Sequence, residues 1–220
     1  MSQRNGGYHK YYLANGDRVP GVTMVLSDSL GWSSRGLMYW AHKIGKQGKE
    51  LDEVREELAN AGKLCHLMAR CDIKGEPPPD LSKYPKEIAE KARKQFEDSW
   101  LVWKAQTNLE LLSAEVPLVS ELHGYGGTYD ALAAWGGMVQ LIDWKSAKDL
   151  YPDTVVQVAA YKHLHEEVHP EMTIKRCHVL RWNEEGGFNH HALSDKQIEA
   201  GWRAFVHVLQ LYKLKPFLKG

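Results

Sequence analysis

Asp130, Asp143 and Lys145 are the side chains in this sequence whose types and spacing most directly suggest chemistry. The runs Tyr-Asp-Ala-Leu-Ala-Ala-Trp (129–135) and Met-Val-Gln-Leu-Ile-Asp-Trp (138–144) are separated only by Gly136-Gly137, a two-residue hairpin signal. Counting outward from that turn pairs Trp135 with Met138 and sets Asp130 opposite Asp143. Directly opposed side chains on an antiparallel pair have Cβ atoms about 4.5 to 5.5 Å apart, where two carboxylates repel unless a cation joins them. Alternation along the strand turns Lys145 to the same face as Asp143 and Trp144 to the other. Two carboxylates and an ammonium suit metal-dependent phosphodiester hydrolysis. Carboxylate oxygens hold Mg²⁺ or Mn²⁺, the ion activates water and neutralises the phosphate, and the lysine positions the nucleophile or stabilises the transition state. A surface strand with an ion pair is the commoner origin of an Asp-x-Lys triplet. Here Leu141, Ile142 and Trp144 make the strand largely apolar, as expected of a central strand where unpaired charge is costly.

The elements that must position these residues are also legible. Tyr151-Pro152-Asp153-Thr154 opens a helix with proline in its first turn, and Gln157, Tyr161 and Leu164 share one face of it. Upstream of the hairpin, residues 109–120 read as a strand carrying Glu115. Further upstream, Leu51, Val54, Leu58, Ala61, Cys65 and Met68 form the apolar stripe of an amphipathic helix, with His66 at its edge. From that edge an imidazole can either fill a core boundary or reach a metal.

The order Asp130, then Asp143-Trp144-Lys145, then Gln157-x-x-x-Tyr161 resembles the PD-(D/E)XK nuclease superfamily, specifically its RecB-type exonuclease branch. The helix with Gly62-x-x-x-His66 and the strand acid Glu115 extend the resemblance. The N-terminal stretch 16–46 is similar to the opening of mitochondrial genome maintenance exonuclease and its phage relatives, with Gly21 where those often carry serine. The resemblance implies that Asp130, Asp143, His66 and the Trp144 carbonyl ligate Mg²⁺ or Mn²⁺, and that Lys145 acts on the water or the transition state. It also implies that Gln157 and Tyr161 orient the site or touch the substrate backbone, and that Glu115 supports the metal through another ligand or through water. The cysteines, Cys65, Cys71 and Cys177, fall short of the four that hold an iron-sulfur cluster in some relatives, so no such cluster is expected.

Composition agrees with one compact enzyme. The 220 residues are 43% hydrophobic with no linker or repeat, which suits a single domain: a mainly helical part over 1–106 and a catalytic core over 107–220. No apolar run approaches membrane-spanning length, the N-terminus lacks a signal-peptide core, and the cysteines show no C-x-x-C pairing, all of which point to a cytoplasmic protein of a bacterial or phage-infected cell. Net charge is zero, with 28 basic and 28 acidic side chains, so any nucleic-acid contact must come from local patches. Candidates are Lys43, Lys46 and Lys63 near the His66 helix and Lys148 near the site, with Tyr39 and Trp40 as stacking residues. Interleaved acids and bases over 83–100 read instead as a solvated helix, and Trp100 and Trp103 as core. His165 and His169 have zinc-like spacing but no evident third ligand, so a surface cluster at a helix end is expected, while His190 and His191 must point to opposite faces.

Helices are expected at 33–46, 50–73 and 85–106, then three strands, a helix, two strands and a helix over 194–213. This is the α/β order of a restriction-endonuclease-like core, a mixed central sheet flanked by helices. The functional expectation is a metal-dependent DNA exonuclease of recombination, repair or phage replication, acting on single-stranded or duplex ends beside a recombination or single-strand-annealing protein. A structure-specific endonuclease and a noncatalytic DNA-binding or assembly subunit are the alternatives. Two opposed acids beside a lysine favour catalysis over mere binding.

Overall fold

The computed structural model describes residues 9–32, 34–145, 149–182 and 188–218, with only the backbone for 34–35 and 55–59. Lys148 lies outside the described residues. The elements in chain order are β1 (Tyr11–Tyr12), β2 (Arg18–Val19), α1 (Val22–Ser29), α2 (Ser34–Lys46), α3 (Leu51–Lys74) and α4 (Lys86–Gln95). A π-helical turn over Phe96–Leu101 runs into α5 (Val102–Thr107), followed by β3 (Glu110–Ser120), β4 (Tyr125–Trp135), β5 (Met138–Lys145), α6 (Pro152–Val168), β6 (Arg176–Trp182), β7 (Phe188–Leu193) and α7 (Asp195–Leu214). The small elements before α2 lack a long periodic run, and only the tertiary structure reveals them.

The five long strands form one mixed sheet in the order β3-β4-β5-β6-β7, with β5 and β6 parallel and every other pair antiparallel. The parallel pair needs a crossover, and α6 supplies it. At the hairpin, Gly136 and Gly137 have φ of 60° and 74°, the left-handed pair that a two-residue turn matching strand twist requires. Trp135 pairs with Met138, as counted from sequence.

Each face of the sheet is covered by helices. On one face Leu132, Leu141 and Val179 pack with residues of α1, α6 and α7, including Val25, Val158, Leu164 and Phe205. On the other, Ala131, Ala133, Ile142, Trp144, Leu180 and Trp182 meet Leu64, Cys65 and Met68 of α3 together with Trp100 and Trp103. Trp100 and Trp144 lie edge to face with centroids 5.1 Å apart, so truncating either would leave a cavity costing about 3 to 5 kcal/mol. This is the mixed sheet flanked by helices of a restriction-endonuclease-like core. In contrast, among the described side chains of α2 only Ile44 is buried. Among the described residues, no helix is long and apolar enough to cross a membrane.

At the hairpin end of the sheet, a polar network is built on the buried side chains of Gln140 and His178. His178 contacts His190 through Nδ1 at 2.8 Å and Gln140 through Nε2, while Gln140 donates to the Trp135 carbonyl. Because the Gln140 amide nitrogen is committed to that carbonyl, its oxygen accepts from His178, which fixes the His178 tautomer. His190 and His191 point to opposite faces, one to His178 and the other to Arg181. Burial, aided by His190 and Arg176, pushes the His178 pKa down to about 4. A depressed histidine contributes stability that is fully present above its unfolded value near 6.5 and is lost as pH falls through about 4. Melting temperature should therefore fall between pH 6.5 and pH 4, and His178→Gln should flatten that decline by the equivalent of roughly 3 kcal/mol, read from thermal melts across the range.

Candidate active site

Asp143 sits in the middle of the sheet on β5, flanked by β4 and β6, and is 1% exposed. Its Oδ2 lies 2.6 Å from the Lys145 ammonium, but neither carboxylate oxygen has an aligned hydrogen bond. Burial pushes the Asp143 pKa up to about 6, with Lys145 opposing and Asp130 adding to the rise. For Lys145, burial works against the charged form, but Asp143 and Asp130 outweigh it and raise its pKa, so it remains an ammonium.

The β4–β5 pairing runs from Trp135/Met138 to Ala131/Ile142 and stops one residue short of the expected Asp130/Asp143 pair. The Asp130 carboxylate takes over where backbone pairing ends: its Oδ2 accepts from the Trp144 N–H at 2.8 Å. Its Oδ1 lies 3.7 Å from Nδ1 of His66, on α3. Burial acts to raise the Asp130 pKa, but His66, Lys145 and the Trp144 N–H outweigh it and hold the group below its ordinary value.

A distortion in the neighbouring strand explains the interruption. Ala114 pairs with Ala131 and Val116 with Tyr129, so Glu115 and Asp130 face each other outside the paired register. Glu115 has φ of 48°, a left-handed conformation that costs a side-chain-bearing residue about 1 to 2 kcal/mol. The pleat reverses there: Tyr129 packs with the α6 cluster and Ala131 with the α3 cluster, although residues two apart on a regular strand share a face.

Gln157 donates to the Tyr161 hydroxyl at 2.8 Å along one face of α6, as their spacing implies. Burial first, and the Asp143 charge second, raise the Tyr161 pKa well above its ordinary value, so the phenol keeps its proton. Its ring lies against Gly127, where a Cβ would come within 2.8 Å, and on the adjoining residue Gly126 a Cβ would fall 2.1 Å from the Tyr11 ring. Tyr11 also contacts Thr128 through its hydroxyl at 3.0 Å, which brings β1 against the strand that carries Asp130. The Gly126-Gly127 pair was the available signal for these two aromatic contacts.

The structure thus gathers Asp130, Asp143, Lys145, His66, Gln157 and Tyr161 at the junction of β4, β5, α3 and α6, with Glu115 beside Asp130. It does not bring three ligands into one cage. Among the described residues, no three His, Cys, Asp or Glu side chains stand close enough to hold an ion together. The two carboxylates instead take separate partners, Asp130 the His66 imidazole and Asp143 the Lys145 ammonium. The donor set nevertheless suits Mg²⁺ or Mn²⁺: two carboxylates, one imidazole and a buried Asp143 Oδ1 with no hydrogen-bond partner.

Residues proposed for DNA contact are distributed unevenly. Lys43, Lys46 and Lys63 are exposed, Tyr39 is 73% exposed and Trp40 is half-buried. His165 overturns an expectation. It is 2% exposed, because it faces Tyr129 rather than the surface, and neither ring nitrogen has a hydrogen-bond partner. Arg70, one turn after His66, was not singled out, although the i,i+4 spacing was visible. It is buried and contacts Glu115 at 3.4 Å and Glu76 at 3.3 Å.

No protein-family model and no curated protein matches the chain. Among solved structures, a protein of Eubacterium rectale assigned as an exonuclease aligns at 14% identity and TM-score 0.44, covering 67% of this chain and 64% of that one. This chain therefore spans just under two thirds of that protein's length. The alkaline exonuclease LHK-Exo from Laribacter hongkongensis aligns at 13% identity and TM-score 0.31, covering 71% of this chain and 91% of its own. Its complex with dAMP aligns at 13% identity and TM-score 0.35, with 74% and 91% covered.

If Asp143 is a ligand, saturating Mn²⁺ at about a hundred times its dissociation constant should raise the melting temperature by roughly 5 to 10 °C over chelator-treated protein. Asp143→Asn should lose that rise in the same thermal-shift measurement. An equal rise in the variant would place the ion elsewhere.

Proposed function

We propose that this chain is a Mg²⁺- or Mn²⁺-dependent deoxyribonuclease of the RecB-type exonuclease branch, acting at DNA ends in recombination, repair or phage replication. The observation that carries the reading is the buried Asp143 carboxylate, paired with Lys145 and set beside Asp130 in the centre of the sheet. Burying a carboxylate whose oxygens lack hydrogen bonds is costly, so a structural role alone gives no reason to retain it. A hard cation from solution would satisfy it. The order of Asp130, Asp143-x-Lys145 and Gln157-x-x-x-Tyr161 supplies the branch.

Asp130, Asp143, His66 and the Trp144 carbonyl would hold the ion, with Glu115 as a neighbour acting through another ligand or through water. When bound, the ion would neutralise charge on the scissile phosphate and lower the pKa of a water. Lys145 stays cationic against Asp143 and would stabilise charge developing on the phosphate. Tyr161, held protonated and receiving a hydrogen bond from Gln157, keeps its own O–H free to donate to a phosphate oxygen or a carboxylate. The DNA would approach over α2 and the exposed side of α3. Between Ser29 and Lys49 the sequence contains Arg35, Lys43, Lys46 and Lys49 and no acidic residue, and Tyr39 projects from the same helix. Lys148, three residues after Lys145 in sequence, is a further proposed DNA contact. A recombination or single-strand-annealing protein would be the natural partner, in the cytoplasm of a bacterial or phage-infected cell.

End-labelled linear and closed circular DNA, single- and double-stranded, incubated with Mn²⁺ or with chelator, tests this reading. Linear DNA should be degraded from its ends only with metal, and Asp143→Asn and Lys145→Ala should each slow cleavage by about 10² to 10³ while remaining folded. Cleavage of closed circles would favour the endonuclease alternative, and full activity in excess chelator would overturn the mechanism. His66→Ala should raise the Mn²⁺ concentration needed for half-maximal cleavage and leave the metal-free melting temperature nearly unchanged, since this side chain is 27% exposed. A lower metal-free melting temperature with an unchanged titration would make His66 a core residue instead.

A further inference from the structure

Two residues one helical turn apart on α3 address two residues that face each other across the β3–β4 pair. His66 meets Asp130 at 3.7 Å, and Arg70 meets Glu115 at 3.4 Å. The side of α3 against the sheet therefore carries two side chains that each address a carboxylate on a single rung, and that rung is where the pleat reverses. Glu115 occupies its left-handed conformation without being glycine, asparagine or aspartate, so the surroundings must hold it there. Arg70 is the buried group in position to do so. Arg70 is 8% exposed and its guanidinium also contacts Glu76, just beyond the end of α3, so swinging away would break two ion pairs at once.

We propose that Arg70 is a positioning residue for the metal site: through Glu115 it holds the reversed rung of the sheet, and thereby keeps the Asp130 carboxylate against the Trp144 N–H and His66. Arg70 touches neither substrate nor ion in this role. The consequence for metal binding rests on the function proposed above, whereas the geometric part stands without it. The Trp144 N–H reports directly on Asp130, because the Asp130 carboxylate is the acceptor that protects it from exchange.

The test is amide hydrogen exchange of the metal-free protein, with Asp130→Ala as the reference for a Trp144 amide that has lost its acceptor. In Arg70→Met, exchange at Trp144 should accelerate about tenfold or more, towards that reference, while Ala133 and Gln140 in the same hairpin keep their protection. Arg70→Lys should restore part of it. Glycine enters the left-handed region without strain, so Glu115→Gly should keep Trp144 protected, and Arg70→Met added to Glu115→Gly should have no further effect. In parallel, Mn²⁺ affinity measured by calorimetry should weaken in Arg70→Met, whereas Arg70→Met added to Glu115→Gly should weaken it no further than Glu115→Gly alone. Unchanged Trp144 exchange in Arg70→Met would overturn the proposal, as would uniform loss of protection along the whole hairpin, which would mark Arg70 as a support of the fold. The failure of wild-type protein to bind Mn²⁺ would count against the nuclease reading instead, leaving the exchange experiment to decide the role of Arg70.

Discussion

A carboxylate in the middle of a sheet is the constraint on which the rest of this structure depends. Asp143 lies on β5 between two other strands, in a run whose neighbours Leu141, Ile142 and Trp144 are buried. Removing an ionised group from water is costly unless charge or hydrogen bonds replace the solvent, and here the replacement is the single ammonium of Lys145. The shortfall appears as a pKa raised to about 6 and as oxygens without aligned donors. The other polar groups of the junction can be understood from this one. Asp130 cannot pair symmetrically with Asp143 without a shared cation, so it turns to the Trp144 N–H and His66. Tyr161 remains a neutral phenol because burial, and after it the same negative charge, opposes its ionisation.

A regular sheet would not present these groups together. Strict alternation gives each strand two faces, and both faces of this sheet are committed to hydrophobic packing, one against α6 and α7 and the other against α3 and α5. The left-handed residue at Glu115 breaks the alternation at one rung, and Asp130 falls at that break, within reach of a helix on one side and a strand neighbour on the other. Local strain of this kind persists only where packing over-determines it. The tryptophan-rich cluster beneath α3 provides such packing: Trp100, Trp144 and Trp182 are all buried there, and His66 lies edge-on to Trp144 at 6.0 Å.

One polar network away from the junction follows a different logic. The His178–Gln140–Trp135 network also buries titratable groups, but each has a partner and the histidine is held neutral, so it stabilises the native state at neutral pH. The candidate active site is the opposite case, with charged groups and incomplete satisfaction. That contrast, more than the identity of any one residue, separates a site prepared for a ligand from a polar network that is complete in itself.

Patterns of short range were readable in the sequence. The Gly136-Gly137 turn set the hairpin register, proline marked the start of α6, and the four-residue spacing of Gln157 and Tyr161 put them in hydrogen-bond contact. These follow from local backbone geometry, in which period and turn type leave few choices. The same counting carried the hairpin one pair too far, because the interruption at Asp130 originates on a different strand, in the left-handed turn of Glu115. Likewise the burial of His165, the packing of Tyr11 over Gly126 and the contact of Arg70 with Glu115 join residues distant in sequence, or depend on what such residues cover. The sequence by itself determined which groups lie near the site along each strand and helix. Only the tertiary structure decided that His66 approaches Asp130 while Lys145 pairs with Asp143, since that outcome depends on desolvation and charge balance across elements that no local pattern encodes.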